Sequence, residues 1–175
     1  ACLRVGAEAI HWEIPDCIYR THPETGEPLY VGEEGIFGEV HSAEAPLIAS
    51  LAARFRALPP AKQVLAPLTS GHHVDHQLVR QAAEAAFGTA LAYYEDYPYV
   101  QQYPEARAKL IADDDPTWQA ELIPLSETAV LARAVAISDY ASQLSTFFAD
   151  GADLRRKVKT AVNATGGEQI WHHTA

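Results

Sequence analysis

The sequence predicts an α/β domain over residues 1–175, with a Rossmann-like, mostly parallel sheet, helices on both faces, and the first strand and helix missing from its front. Three observations carry this. Short apolar runs alternate with helical patterns along the chain, as strands alternate with helices in βαβ winding. The run Val64-Leu65-Ala66-Pro67-Leu68 leads directly into an amphipathic pattern at 74–87. Ala1-Cys2-Leu3-Arg4-Val5 reads as the last turn of a helix with Gly6 as its stop, in a chain that contains no methionine. The start at Ala1 is therefore expected to follow an element that lies upstream.

The elements follow in order. Ala9-Ile10-His11-Trp12-Glu13-Ile14 alternates as a strand with Ile10, Trp12 and Ile14 on one face. Residues 15–44 hold Pro15, Pro23, Gly26, Pro28, Gly32, Gly35 and Gly38 and read as a long loop. Its Tyr19, Tyr30, Ile36 and Phe37 argue that it packs, and loops of about this length are usually functional when ordered. In 45–58, Leu47, Ile48, Leu51, Phe55 and Leu58 share one helical face, and Pro59-Pro60 ends it. A buried strand is expected at 64–68. A helix at 74–87 turns Leu78, Val79, Ala82, Ala83 and Ala86 inward and stops at Gly88. A strand at 90–97 closes at Pro98, and 103–112 reads as a short helix or turn region. An edge strand at 118–124 is followed by a helix from Ser126 to about Tyr140, with Glu127 in its first turn. Residues 152–164 are helical, Gly166-Gly167 end them, and 168–173 form a last short strand.

Composition narrows the function. The chain is 48% hydrophobic and 21% charged, as an ordinary globular domain is. Thirteen basic against 23 acidic residues leave a net charge of −10, which disfavours nucleic acid as a partner. No apolar stretch reaches the roughly 18 residues of a membrane span. Two cysteines, Cys2 and Cys17, make neither a disulfide framework nor a Cys-rich zinc motif, so a reducing, cytoplasmic setting is the simplest expectation.

Three of the eight histidines crowd into Gly71-His72-His73-Val74-Asp75-His76. They sit at the carboxyl end of a buried strand, where open α/β sheets bind ligands. His73 and His76 are three apart at a helix start and face one crevice. A metal site, an acid/base site, or both fit this chemistry; a helix cap with solvated histidines is the plain alternative. Asp16, Tyr19 and Arg20 follow the first strand, and Glu95, Asp96 and Tyr97 end another; these are candidates to line the site, Asp16, Tyr19, Arg20, Asp96 and Tyr97 as substrate contacts. His11, His41, His172 and His173 read as packing or surface residues, and Cys17, with no base beside it in the sequence, as structural.

Leu65-Ala66-Pro67 followed by His73-Val74-Asp75-His76 resembles the His-x-Asp-His motif of the LmbE-like, or PIG-L, zinc deacetylases. Ile14-Pro15-Asp16 is similar to that family's strand-to-loop Asp, and 136–143, with Tyr140-Ala141-Ser142-Gln143, to its C-terminal helix. The resemblance implies zinc-dependent hydrolysis of an N-acetyl amide on an amino sugar such as N-acetylglucosamine, or on a glycoconjugate. It implies His76 as a ligand of Zn2+ or another divalent metal. It implies His73 as oxyanion stabiliser or acid, oriented by Asp75. The family's other motif, His-Pro-Asp-Asp-Glu, supplies two ligands and the water-activating Asp and has no counterpart here. His22-Pro23-Glu24 lacks the aspartates and lies in a later loop, so no role passes to it. On this reading the chain as given is inactive alone, and its oligomeric state is open. The rival is a non-catalytic glycan- or metabolite-binding domain of the same fold with an incomplete metal site. More remote is a structural subunit whose crevice another chain completes.

Overall fold

The computed structural model describes residues 1–112 and 114–174. Its elements, in chain order, are α1 (Gly32–Ile36), α2 (Ala45–Arg56), β1 (Val64–Pro67), α3 (Val74–Phe87), β2 (Leu91–Tyr94), α4 (Tyr99–Gln102), α5 (Pro104–Leu110), β3 (Trp118–Ile123), α6 (Glu127–Ser138), α7 (Leu144–Phe147), α8 (Gly151–Thr165) and β4 (Glu168–His173). They form an α/β fold in two compact units. The larger comprises Ile14–Ala120 with Ile170–Ala175, the smaller Ala1–Glu13 with Glu121–Gln169.

The strands are hydrogen-bonded in the order β1-β2-β4-β3. β1 and β2 run parallel, from Val64 opposite Leu91 to Pro67 opposite Tyr94, with α3 as the crossover between them. β4 lies antiparallel to β2, with Tyr93 opposite Trp171. The sheet is thus mixed: its βαβ half is parallel, and the late strand turns it antiparallel.

The core of the larger unit gathers Ala66, Leu68, Ala83, Leu91, Tyr93, Ile111 and Trp171, with Phe55, Val64, Phe87, Leu110 and Trp118 around them. α3 buries Leu78, Ala82 and Ala83, spaced four and five apart on one face. Val79, expected inward, is 37% exposed. A second cluster joins Cys17, Tyr30 and Val74, with Leu29 and Ile36 against them, and seats the long loop on the first residue of α3. In the smaller unit, α8 buries Leu154, Val158, Ala161 and Val162 and packs on α6. Asp150 caps α8 by accepting from the amides of Ala152 and Asp153, both at 2.8 Å.

Three expectations change. Residues 9–14 form no strand, because alternation marks a face but a strand also needs a hydrogen-bonded neighbour; Ile10 is 63% exposed. The loop of 15–44 is locally ordered by short helical turns at Cys17–Tyr19 and Ser42–Glu44, by α1, and by a bridge between Thr21 and Pro28. α6 ends at Ser138, so Tyr140 to Gln143 lie beyond it in a turn. Among the described residues no helix is long and apolar enough to cross a membrane.

Candidate functional site

The six residues between β1 and α3 carry the site. Among the described residues, Thr69 (φ 69°) and His72 (φ 56°) are the non-glycine residues with positive φ. Two such residues in one loop, one of them β-branched, are costly, and backbone strain of this kind gathers at functional sites. The loop is held from several sides. Arg80 of α3 donates to the Leu68 carbonyl at 2.9 Å. Gln77 donates to the carbonyls of His72 and Gly38, each at 2.7 Å. The Ser70 amide donates to Asp96 Oδ2 at 3.0 Å.

Asp96, beyond the end of β2, has a fully buried side chain. Its other oxygen, Oδ1, lies 2.5 Å from His76 Nδ1. A buried carboxylate on Nδ1 holds the proton there and leaves Nε2 of His76 as the free lone pair. His73 is the N-cap of α3, and its Nδ1 accepts from the Asp75 amide at 3.2 Å. An Nδ1 that accepts places the proton of a neutral ring on Nε2. Burial pushes the His73 imidazole below its ordinary pKa, and His76 adds to this, while Asp75 and Asp16 pull partway back. The two rings lie 5.4 Å apart, and Phe37 and Tyr99 stand edge-on to them, Phe37 to His73 at 5.5 Å and Tyr99 to His76 at 5.9 Å.

Behind the histidines lies a charged network. Arg20, with 7% of its side chain exposed, meets Glu44 through Nε at 2.6 Å and Nη2 at 2.9 Å, and Asp75 Oδ1 through Nη1 at 2.6 Å. The contacts of Nε and of Asp75 Oδ1 are charge contacts without hydrogen-bond alignment. Tyr30 donates to Glu44 Oε2 at 2.7 Å and accepts from the His41 amide. Asp75 Oδ2 accepts from the Cys17 amide at 3.2 Å. Cys17 is wholly buried, and burial, with Asp75 and Asp16 nearby, pushes its thiol up to about 12.

Among the residues named from sequence, His73, Asp75, His76, Asp96, Asp16 and Arg20 fall in this neighbourhood. Arg20 is a buried clamp on two carboxylates. Asp16 is exposed and caps the turn Cys17–Tyr19 by accepting from the Ile18 amide. Tyr19 is 70% exposed, and Tyr97 is half-buried. The bond that joins Asp75 to His73 comes from the Asp75 amide; its carboxylate faces Arg20 and Cys17. Next to Asp96, Glu95 turns to the other side and accepts from Trp171 Nε1 at 3.1 Å. His173 packs edge-on against Trp118 at 4.9 Å. Gln77, Glu44 and Tyr99 were not expected from the sequence, and Tyr30 was expected only to pack, because no short window carries a local mark of a polar group satisfied across the fold.

A solved structure of the zinc-inhibited form of teicoplanin deacetylase Orf2 superposes with a TM-score of 0.72 at 19% identity, covering 97% of this chain and 68% of that one. A deacetylase–bog complex from the teicoplanin biosynthesis pathway gives 0.70 at 21% identity, covering 96% and 67%. This chain has the fold of those two proteins. No family model and no curated protein matches its sequence. At such identities the likeness concerns the fold, so what the site does rests on its own residues.

Proposed function

We propose that this chain carries active-site residues of a metal-dependent N-acyl deacetylase of the LmbE-like type, acting on an N-acetyl amino sugar or glycoconjugate. The observation that carries the proposal is the Asp96–His76 pair. A histidine whose Nδ1 is committed to a buried carboxylate is oriented as metal-ligating histidines are. That orientation suits His76 as one ligand of a divalent cation, zinc by preference. A bound cation there polarises the amide carbonyl and lowers the pKa of its water toward ~7. Two deacetylases with the same fold support the reading.

The chain's own residues supply the rest. His73 is kept neutral by burial with its proton on Nε2, and it donates a hydrogen bond where negative charge develops on the acyl oxygen. Its Nδ1, bonded to the helix amide, fixes the ring plane. Asp75 holds Arg20 and the Cys17 amide, tying the loop of 15–44 to the start of α3. Asp16, Tyr19 and Tyr97 are the substrate contacts proposed from that loop and from the segment after β2. A soluble, cytoplasmic enzyme on a small-molecule or glycoconjugate substrate is the setting proposed.

The test is metal content of the full-length protein, followed by acetate release from N-acetylglucosamine-bearing substrates. His76→Ala is expected to lose both. A protein that retains no metal and is indifferent to His76→Ala overturns the reading. The second reading, a binding domain with an incomplete metal site, is favoured by one observation: this cluster presents a single carboxylate-held imidazole, where a catalytic zinc takes three protein ligands. It predicts saturable sugar binding that survives His73→Ala.

A further inference from the structure

A second group of donor atoms lies beside His76 and does not include it. Cys17 Sγ, a ring nitrogen of His73 and a carboxylate oxygen of Asp75 lie within 4.8 Å of one another. We infer that these three residues form a separate site for a thiophilic divalent cation, Zn2+ in excess or Cd2+, and that an ion held there withdraws His73 from catalysis. The effect on rate rests on the deacetylase reading; the binding itself does not.

Three arguments converge on the site. The first is donor chemistry. Thiolate, imidazole and carboxylate together suit zinc and its softer neighbours and do not suit magnesium or calcium. Bond lengths of about 2.0–2.3 Å in a tetrahedral shell place donors roughly 3.5 Å apart, so the trio closes on an ion by rotamer adjustments of about an ångström. The second is charge. Arg20 faces two carboxylates and is engaged by Glu44 through two nitrogens. Asp16 adds a third, its Oδ1 3.4 Å from Cys17 Sγ. One guanidinium against three carboxylates leaves two negative charges around a neutral imidazole and a thiol, the deficit that a divalent cation fills. The third is an imperfect contact. Asp75 Oδ1 is shut off from solvent and meets Arg20 Nη1 at 2.6 Å as a charge contact without hydrogen-bond alignment, which a better-placed cation would complement.

The three donors come from two places that the second core cluster locks together. Cys17 opens the turn Cys17–Tyr19, while His73 and Asp75 open α3, and Val74 between them packs on Cys17 and Tyr30. The sulfur is therefore delivered by tertiary packing. On binding, Cys17 gives its thiol proton to bulk water as the sulfur–metal bond forms, and His73 gives a ring-nitrogen lone pair, which breaks the bond from the Asp75 amide that fixes its ring plane and turns its N–H away from the acyl oxygen. Neither sulfur nor metal changes oxidation state. His76 stays with Asp96.

Cadmium tests this without reference to activity, through its thiolate charge-transfer absorption in the ultraviolet. Cys2 is the other thiol, so the titration uses the Cys2→Ser protein. One equivalent of Cd2+ is expected to raise the band. Cys17→Ser in that background is expected to abolish it, His73→Ala to weaken binding at least tenfold, and His76→Ala to leave the band in place. Cys17→Ala serves as a second variant should the serine unfold this buried position, with circular dichroism as the control. Absence of the band in the Cys2→Ser protein, or its persistence without Cys17, overturns the proposal. So does its loss in a folded His76→Ala protein, since the site would then be the His76 centre. Where acetate release is measurable, excess Zn2+ is expected to inhibit, with an inhibition constant at least tenfold higher in Cys17→Ser. If the full-length protein releases no acetate under any condition, the deacetylase reading falls and the cadmium band still decides this site.

Discussion

At the scale of single residues, Asp96 and His76 define the strongest local argument. The carboxylate is fully buried and fixes Nδ1 of the imidazole at 2.5 Å, and its second oxygen anchors the loop through the Ser70 amide. Removing such a partner of a metal-ligating histidine costs about ten- to hundredfold in metal affinity or activity. If the proposed deacetylase reading holds, Asp96→Asn is expected to lower metal retention and acetate release by that factor while leaving the fold intact, checked by metal analysis beside a thermal melt. His73 makes a pH prediction. Its pKa is lowered in the folded protein by burial and by His76, so as pH falls below the unfolded value of about 6.5 the unfolded chain binds the proton first. The contribution is present in full above that pH and is lost as pH falls toward the lowered folded value. Denaturant titrations across this window should show stability declining toward acid, with a shallower decline in His73→Gln. His73, Asp75 and His76 were legible because they are nearly contiguous on one helix start. The role of Asp96 was not, because its partner lies 20 positions away and only β1–β2 pairing brings them together.

At the scale of elements, α3 was readable end to end. Its apolar spacing, its acidic first turn and Gly88 after Phe87 match the helix Val74–Phe87. The short strand β1 was equally plain as an apolar run before a cluster of turn residues. The segment 9–14 has comparable alternation yet forms no strand, since strand formation is decided by the neighbour and not by the pattern. The β1–α3 connection makes its own prediction. A Cβ on Gly71 would stand 2.4 Å from the ring of Tyr99, and Tyr99 packs edge-on against His76. Gly71→Ala therefore has to displace a half-buried tyrosine at the site. It is expected to cost roughly 1–3 kcal/mol, as overpacking does, and to lower metal retention together with stability, which a melt with and without added Zn2+ would separate.

At the scale of the whole molecule, the long loop becomes part of the architecture through buried charge. Arg20 and Glu44, 7% and 3% exposed, pair across 24 residues of chain, and Arg20 continues to Asp75 on α3. Breaking a buried ion pair from one side strands the other charge and costs about 3–5 kcal/mol. Arg20→Leu is expected to destabilise by that amount in chemical denaturation and to loosen residues 15–44, visible as faster proteolysis of that segment. The removal of both charges in an Arg20→Leu, Glu44→Leu pair should recover part of the loss.

Period and contiguity are local properties, and what rests on them was determined by the sequence alone: the α/β class, the helix at 74–87, the strand before it, and the grouping of His73, Asp75 and His76. The tertiary structure decided the rest. It turned β4 antiparallel, enclosed Arg20 between two carboxylates, set Asp96 on His76, and brought Cys17 to His73 and Asp75. Each of these joins groups far apart in the chain, and their meeting depends on strand order and on which side chains exclude water. No short window of sequence contains that information.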